Sequence, residues 1–170
     1  MESFDMLALH RALDERRRAM DYTWKQVAAE INRPFEATDS IPISPGTLRD
    51  MLKKRSVTSA VVLQVLRWLK RSPESFLTGA EDGTIQEQRL PVAGEHEILR
   101  LDTRALYVAL CQERLQREMT WQQVANELPG FTVSMLTNLE KGPLIGFPRV
   151  MLLTQWVEKP MASFVRACSR

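Results

Sequence analysis

The sequence predicts an all-α fold made of two tandem five-helix domains joined by a linker, and three observations carry that expectation. The first is a repeat: residues 9–31 align without a gap to residues 106–128, with ten identities in 23 positions. A second block repeats at a shorter offset, since Leu48, Val62, Trp68 and Phe76 answer to Leu136, Val150, Trp156 and Phe164, 88 positions later instead of 97. A period of this length marks a tandem domain, because solenoid repeats run only about 20 to 50 residues. The second observation is apolar spacing at helical steps in both copies, with no alternating strand pattern. The third is a pair of matching helix-start signals. The change of offset puts nine extra residues in the first copy, within 33–43. The expected division is a first domain over 1–78 with an extra loop at about 33–43, an acidic linker over 79–101, and a second domain over 102–170.

Each element follows from local residues. Met6, Leu9, Leu13 and Met20 fall at three- and four-residue steps or multiples of them, the stripe of a first helix. Thr23 with Gln26, echoed by Thr120 with Gln123, is a capping box in which each side chain satisfies a backbone donor left free at a helix start. Helix two begins there, with Val27, Ala28 and Ile31, or Val124, Ala125 and Leu128, as its apolar face. In the second copy it stops at Leu128, because Pro129 cannot continue it and Gly130 suits a tight turn. Thr132 then caps helix three, Leu136 and Leu139 are its buried positions, and Gly142 with Pro143 ends it. In the first copy Ser44 is the N-cap and Pro45 the first helical residue, with the helix running through Leu48, Met51 and Leu52. Helix four is expected over 60–71 and about 148–159, and a short fifth helix opens at Ser72-Pro73 or at Pro160. Residues 84–101, extended or partly helical, read mostly as linker.

Composition narrows the function classes. The 44% hydrophobic and 26% charged content fits a soluble globular chain. The N-terminal stretch has acids where a signal peptide wants bases, and no apolar run approaches the roughly 18 residues of a membrane span, which predicts a cytoplasmic protein without a membrane partner. Cys111 and Cys168 occupy different places in the repeat and read as free thiols. His10 and His96 are isolated, and no Gly-rich phosphate loop, paired cysteines or nucleophile motif is present, so neither an enzyme nor a cofactor or metal site is expected. With both repeats assigned, no sensor domain remains, and no small-molecule effector is expected. Charge is uneven: residues 1–72 hold 13 Lys/Arg against 9 Asp/Glu, 73–101 hold 2 against 6, and 102–170 hold 8 against 6. Two mildly basic repeats flank an acidic connector, which suits two anion-facing modules.

The run 131–142 (FTVSMLTNLEKG) resembles the turn and third helix of the lambda-repressor/Cro (Xre-type) helix-turn-helix family, and 43–54 (ISPGTLRDMLKK) fits the same frame. The two resemblances cover about 5–78 and 102–167. They imply lambda-repressor-like domains whose helix three enters the major groove of double-stranded DNA while helix two crosses the backbone. Two departures stand out. Family members commonly place Gln after the Thr that opens helix two, and here Trp24 and Trp121 stand instead, read as core anchors against helices one and four ahead of the alternative, base-stacking residues. The extra loop either packs aside with the angle between helices two and three kept, or removes the usual docking geometry.

The resemblance implies a DNA-facing set of Ser44, Gly46, Thr47, Arg49, Lys53, Lys54 and Arg55 in the first copy, with Gln26 on helix two. Arg49 is the candidate for bidentate guanine readout, worth about 1 to 3 kcal/mol of discrimination. Lys53, Lys54 and Arg55 are placed for phosphate, or complement the helix dipole. Asp50 is an unfavourable charge there that can accept from cytosine or hold Arg49 or Lys54. The second copy offers Thr132, Ser134, Thr137, Asn138 and Lys141, with Gln123 on helix two. With one full positive charge, this face serves DNA, or presents Val133 and Met135 as exposed residues to a protein partner or to self-association. Arg16, Arg17 and Arg18 are either a solvated helix side or, at most two of them, phosphate contacts. The implied function is a sequence-specific DNA-binding transcriptional regulator whose two modules reach neighbouring half-sites about 34 Å apart. The alternative is a protein-interaction regulator, antiactivator-like or antitoxin-like, that keeps the fold without DNA binding or in addition to it.

Overall fold

Side-chain caps open the first three helices of each repeat. In the computed structural model, which describes residues 1–54, 56–79, 87–141 and 145–169, Asp5 accepts from the Ala8 amide at 2.9 Å to open α1 (Met6–Ala19). Thr23 and Gln26 close the expected capping box at the head of α2 (Trp24–Asn32). Ser44 caps α3 (Pro45–Arg49), with Pro45 in the first turn, and α4 (Ser59–Leu69) follows as the central buried helix. The second repeat restates this: Asp102 caps α5 (Thr103–Gln116), a Thr120–Gln123 box opens α6 (Trp121–Glu127), Thr132 caps α7 (Val133–Thr137), and α8 (Phe147–Trp156) takes the place of α4. Helix one of each repeat ends in a residue forced to positive φ, Asp21 or Glu118, and α4 and α8 are followed by Lys70 and Glu158 in the same left-handed region. That reversal stops helix four short of the expected 71 and 159.

The fold is not the all-α, five-helices-per-copy arrangement that the sequence predicts. The described residues hold eight α-helices, and the expected fifth helix of each copy is a single 3-10 turn, Pro73–Phe76 or Met161–Phe164. After the second of these turns the chain extends into β2 (Val165–Cys168), which pairs antiparallel with β1 (Ile98–Leu101) in the register Ile98↔Cys168 to Leu101↔Val165. The first repeat carries a one-pair version of the same sheet, since Phe4 bridges Leu77 at the positions equivalent to Leu101 and Val165. Strands of four residues are too short to show alternation, and Ile98 and Leu99 are both buried because β1 also packs on α4. The last residues of the expected linker are therefore structural.

The extra residues of the first copy fold aside and leave the helix pair intact. Arg33–Phe35 form a 3-10 turn that buries Phe35, and the Asn32 side chain then closes the base of the loop, donating to the Ile43 carbonyl at 2.8 Å and accepting from its amide at 2.9 Å. Ile43 is buried like its counterpart Phe131, so α3 is entered from the same anchored position as α7. The outer part of the loop rests on the connector strand through Arg100 and Ser40, 3.0 Å apart.

The repeats exchange their lead-in segments. Leu99, ahead of α5, is held by Gln64 of α4, and Glu2, ahead of α1, is held by Gln155 of α8. The two 3-10 turns also contact each other, and the Phe4 ring meets Phe147 edge-on at 4.8 Å. Each lead-in rests on helix four of the other repeat, a reciprocity of elements although the two gripping glutamines occupy different helix positions. The repeats are thus docked on one another, and the length of the connector does not set their separation.

Candidate nucleic-acid interface

Helix three is short in both repeats. Five residues of α-helix at about 1.5 Å rise each make little more than one turn. In the first copy the backbone leaves α geometry at Asp50 (φ −101°, ψ 19°) and continues as a 3-10 turn over Met51–Lys53. The 44–55 segment expected as one rod is therefore a helical turn and a 3-10 turn, with Arg55 outside the described residues. Gly142 and Pro143, the expected stop of the second copy, lie outside them too.

Many polar side chains of these faces are already occupied by neighbours on the same face. Ser44, Arg49, Lys53 and Lys54 are exposed, while Gly46 and Thr47 are half-buried. The Ser44 and Thr47 hydroxyls meet at 2.8 Å, and Ser44 Oγ also accepts from the Thr47 amide. Arg49 turns back on Asp50, donating from Nε and Nη2 at 3.1 and 3.0 Å, and Lys53 Nζ stands 3.5 Å from the same carboxylate. The hydrogen bonds from Arg49 hold the Asp50 carboxyl below its usual range. Asp50 thus takes Arg49 and Lys53, where the sequence suggested Arg49 or Lys54. Gln26 is exposed, yet its carbonyl serves the capping box.

The second copy presents Thr132, Ser134, Asn138 and Lys141 to solvent, with Thr137 half-buried. Asn138 donates to Ser134 Oγ at 3.1 Å, Thr137 to the Val133 carbonyl at 3.0 Å, and the Gln123 carbonyl serves its own capping box. Val133 and Met135, expected as exposed, are half-buried and packed against the core. They offer little apolar surface.

Several basic side chains have structural posts that local sequence does not reveal. Arg16 lies over the Trp68 ring at 4.3 Å and donates to the Trp68 carbonyl, while Trp68 Nε1 donates to Glu30 at 3.3 Å. The second repeat builds the same triad with Arg117, Trp156 and Glu127. Arg17 stacks on Trp24 and bonds the Tyr22 carbonyl, as Arg114 does with Trp121 and Met119. His10 or Tyr107 also stacks against each indole. Trp24 and Trp121 are therefore half-buried anchors on helix one. Of the three consecutive arginines only Arg18 is an exposed helix residue, paired to Asp14.

Two cations near the faces escaped the sequence reading. Lys25 is exposed beside Gln26 on α2, and Arg149 reaches from α8 toward the Gly130 turn that introduces α7. Arg149 also lines a cavity of about 390 Å³ together with Lys54 and Ser56. The Phe147 amide donates to the Val57 carbonyl beside it at 3.1 Å, so the exit of the first helix-three segment is tied to the start of α8. The flanks of the two faces meet at this seam.

Among the described residues no group of three or more His, Cys, Asp or Glu side chains is placed to hold a metal ion. No described helix is long and apolar enough to cross a membrane. Neither a family model, nor a curated protein, nor a solved structure matches the chain.

Proposed function

We propose that this chain is a tandem lambda-repressor/Cro-type protein that binds double-stranded DNA as an intramolecular pseudo-dimer and regulates transcription in the cytoplasm. The observation that carries the reading is the mutual docking of the repeats, which holds two equivalent, solvent-facing third helices on one body. A repressor dimer presents two such helices to half-sites one helical turn apart, and a fused pair does so without assembly. The first face supplies Arg49 for base edges and Lys53 and Lys54 for phosphate. The second supplies Ser134, Asn138 and Lys141. Lys25 and Arg149 add charge beside them.

Selection from a randomised duplex library at low salt tests the reading. A recovered site with two half-sites, bound with an affinity that falls steeply as salt rises, supports it. Failure of random and genomic duplexes alike to bind at low salt overturns it.

One observation favours the second reading, a protein-interaction regulator. Arg49, the residue best suited to read guanine, is engaged by Asp50, and the second face carries little charge. A partner with a polar, hydrogen-bonding surface suits such faces better than a polyanion does.

A further inference from the structure

We propose that the basic groove around Arg67, at the end of α4, is a binding site for a small phosphorylated molecule with an apolar body. The proposal stands independently of DNA binding, and it departs from the expectation that no small-molecule effector exists. Two cavities of about 350 and 420 Å³ share Arg67 and Ala93 as a common wall. Lys70, Arg71 and Arg89 line the first, over a floor that includes Leu66, Leu90 and Leu99. Arg33 and His96 line the second, beside Pro34 and Glu95. Each lobe has the volume of a small-molecule site, about 300 to 1,000 Å³, and a concave pocket of that size admits a metabolite and excludes a duplex.

The cations of this groove outnumber its acids, Glu95 and Glu97. Among the described residues no ion pair is made by Arg33, Arg67, Lys70, Arg71 or Arg89. Arg67 spends its hydrogen bonds on backbone carbonyls, those of Ala93, Gly94 and Glu97 at 2.9, 3.1 and 2.8 Å. The Glu97 carboxylate acts on it only through space and bonds the Gly94 amide at 3.0 Å. Arg71 lies over the Phe76 ring. Guanidinium forks match phosphate oxygens in pairs, which favours phosphate over a single carboxylate as the anion.

The repeat supplies an internal control. Cations at a helix C-terminus ordinarily complement the dipole, yet the positions equivalent to Arg67, Lys70 and Arg71 in α8 and its exit are Gln155, Glu158 and Lys159. Glu158 adopts the same left-handed turn as Lys70, φ 57° against 56°. Lys159 keeps one cation of the three, so the fold does not require Arg67 and Lys70, which occur where the connector walls a cavity. A ligand there touches α4, the inserted turn at Pro34 and the connector that leads to β1. It is positioned to stiffen the junction between repeats.

Calorimetric titration of the full chain with AMP, phenyl phosphate and pyrophosphate, with adenosine as the phosphate-free control, tests the site. The expected result is saturable binding of at least one phosphorylated probe and at least about tenfold weaker binding of adenosine than of AMP. The exposed pair Lys70→Ser with Arg89→Ser, shown folded by circular dichroism, weakens that binding about tenfold or more. Lys53→Ser with Lys54→Ser, on the helix-three face, leaves it unchanged. Absence of binding by all three probes up to about 10 mM, equal binding of adenosine and AMP, or equal weakening in both double variants overturns the proposal.

Discussion

Gln155 grips the backbone of Glu2 from both sides, its Nε2 donating to the Glu2 carbonyl at 2.8 Å and its Oε1 accepting from the Glu2 amide at 2.8 Å. Gln64 does the same to Leu99, donating to the carbonyl at 2.7 Å and accepting from the amide at 3.4 Å. Glu2 and Leu99 are equivalent residues, each just ahead of its repeat's first helix and each held by the other repeat. A side-chain amide used in this way completes a strand edge that has no further strand to pair with. Gln64 is buried and Gln155 half-buried, so the two clamps differ in cost when cut.

Gln64→Leu leaves the buried amide and carbonyl of Leu99 without that partner. The expected loss of stability is about 1 to 3 kcal/mol, and Gln155→Leu, where water can replace the amide, costs less. Urea denaturation of both variants measures the difference. Equal or negligible losses show that the lead-in exchange is not a stabilising junction.

Arg16→Ala and Arg18→Ala separate a structural arginine from a solvated one. Arg16 covers Trp68 and bonds its carbonyl, whereas Arg18, with a side chain 73% exposed, meets only Asp14. The first substitution costs about 1 to 2 kcal/mol, and the second stays within about 0.5 kcal/mol. Thermal melts decide it. Matching stabilities for the two variants refute the stacking role.

Glu74 gives the junction a pH dependence. The residue belongs to the Pro73–Phe76 turn, and its buried carboxylate accepts from the Gln88 amide at 3.2 Å and the Met161 amide at 3.2 Å, with Glu87 nearby. Burial pushes its pKa above the ordinary carboxylate value. A group with a raised folded pKa takes up its proton more readily in the native state, so stability falls as pH rises from the unfolded value through the folded one. The stability of the native chain relative to Glu74→Gln is therefore greater at the acid end of that window than at neutrality. Parallel denaturation curves at several pH values read this, and a constant difference refutes it.

What was legible in the sequence was local. Thr23 with Gln26 and Ser44 with Thr47 are interactions across three residues, so capping boxes, N-caps and helix starts could be read directly. The sheet was not legible, because Ile98 pairs with Cys168 across the whole second repeat and four residues carry no period. Arg16 looked like a surface charge because Trp68, which it covers, lies 52 positions away. The engagement of Arg49 was half visible, since Asp50 is its neighbour, but the break in the helix at Asp50 that brings the two side chains together was not.

Asn32→Ala tests whether the inserted loop leaves α3 in place. With the clamp on Ile43 gone, the base of the loop opens and two backbone groups lose their partner. The expected cost is about 1 to 3 kcal/mol. If α3 depends on this anchor, faster amide exchange over 43–49 accompanies the loss, while α7, entered through the short Pro129-Gly130 turn, is unaffected. Unchanged exchange at α3 makes the loop a passive insertion.

Asp50→Asn is the sharpest probe of the DNA reading. At neutral pH the Asp50 carboxylate is ionised, its pKa lowered by the hydrogen bonds from Arg49, and it holds Arg49 and Lys53 on the face that would meet the duplex. Neutralising it removes a charge that repels phosphate and releases two cations. If this face enters the groove, Asp50→Asn binds duplex more tightly at low salt and steepens the dependence of log K on log salt by about one. Base preference shifts as well, since a released Arg49 is free to reach guanine. Fluorescence anisotropy against a salt series, on the selected site and on a scrambled duplex, reads all three effects. A protein-binding face predicts the opposite pattern: DNA affinity is unchanged, and the partner's hold weakens when the Arg49–Asp50 pair it recognises is broken.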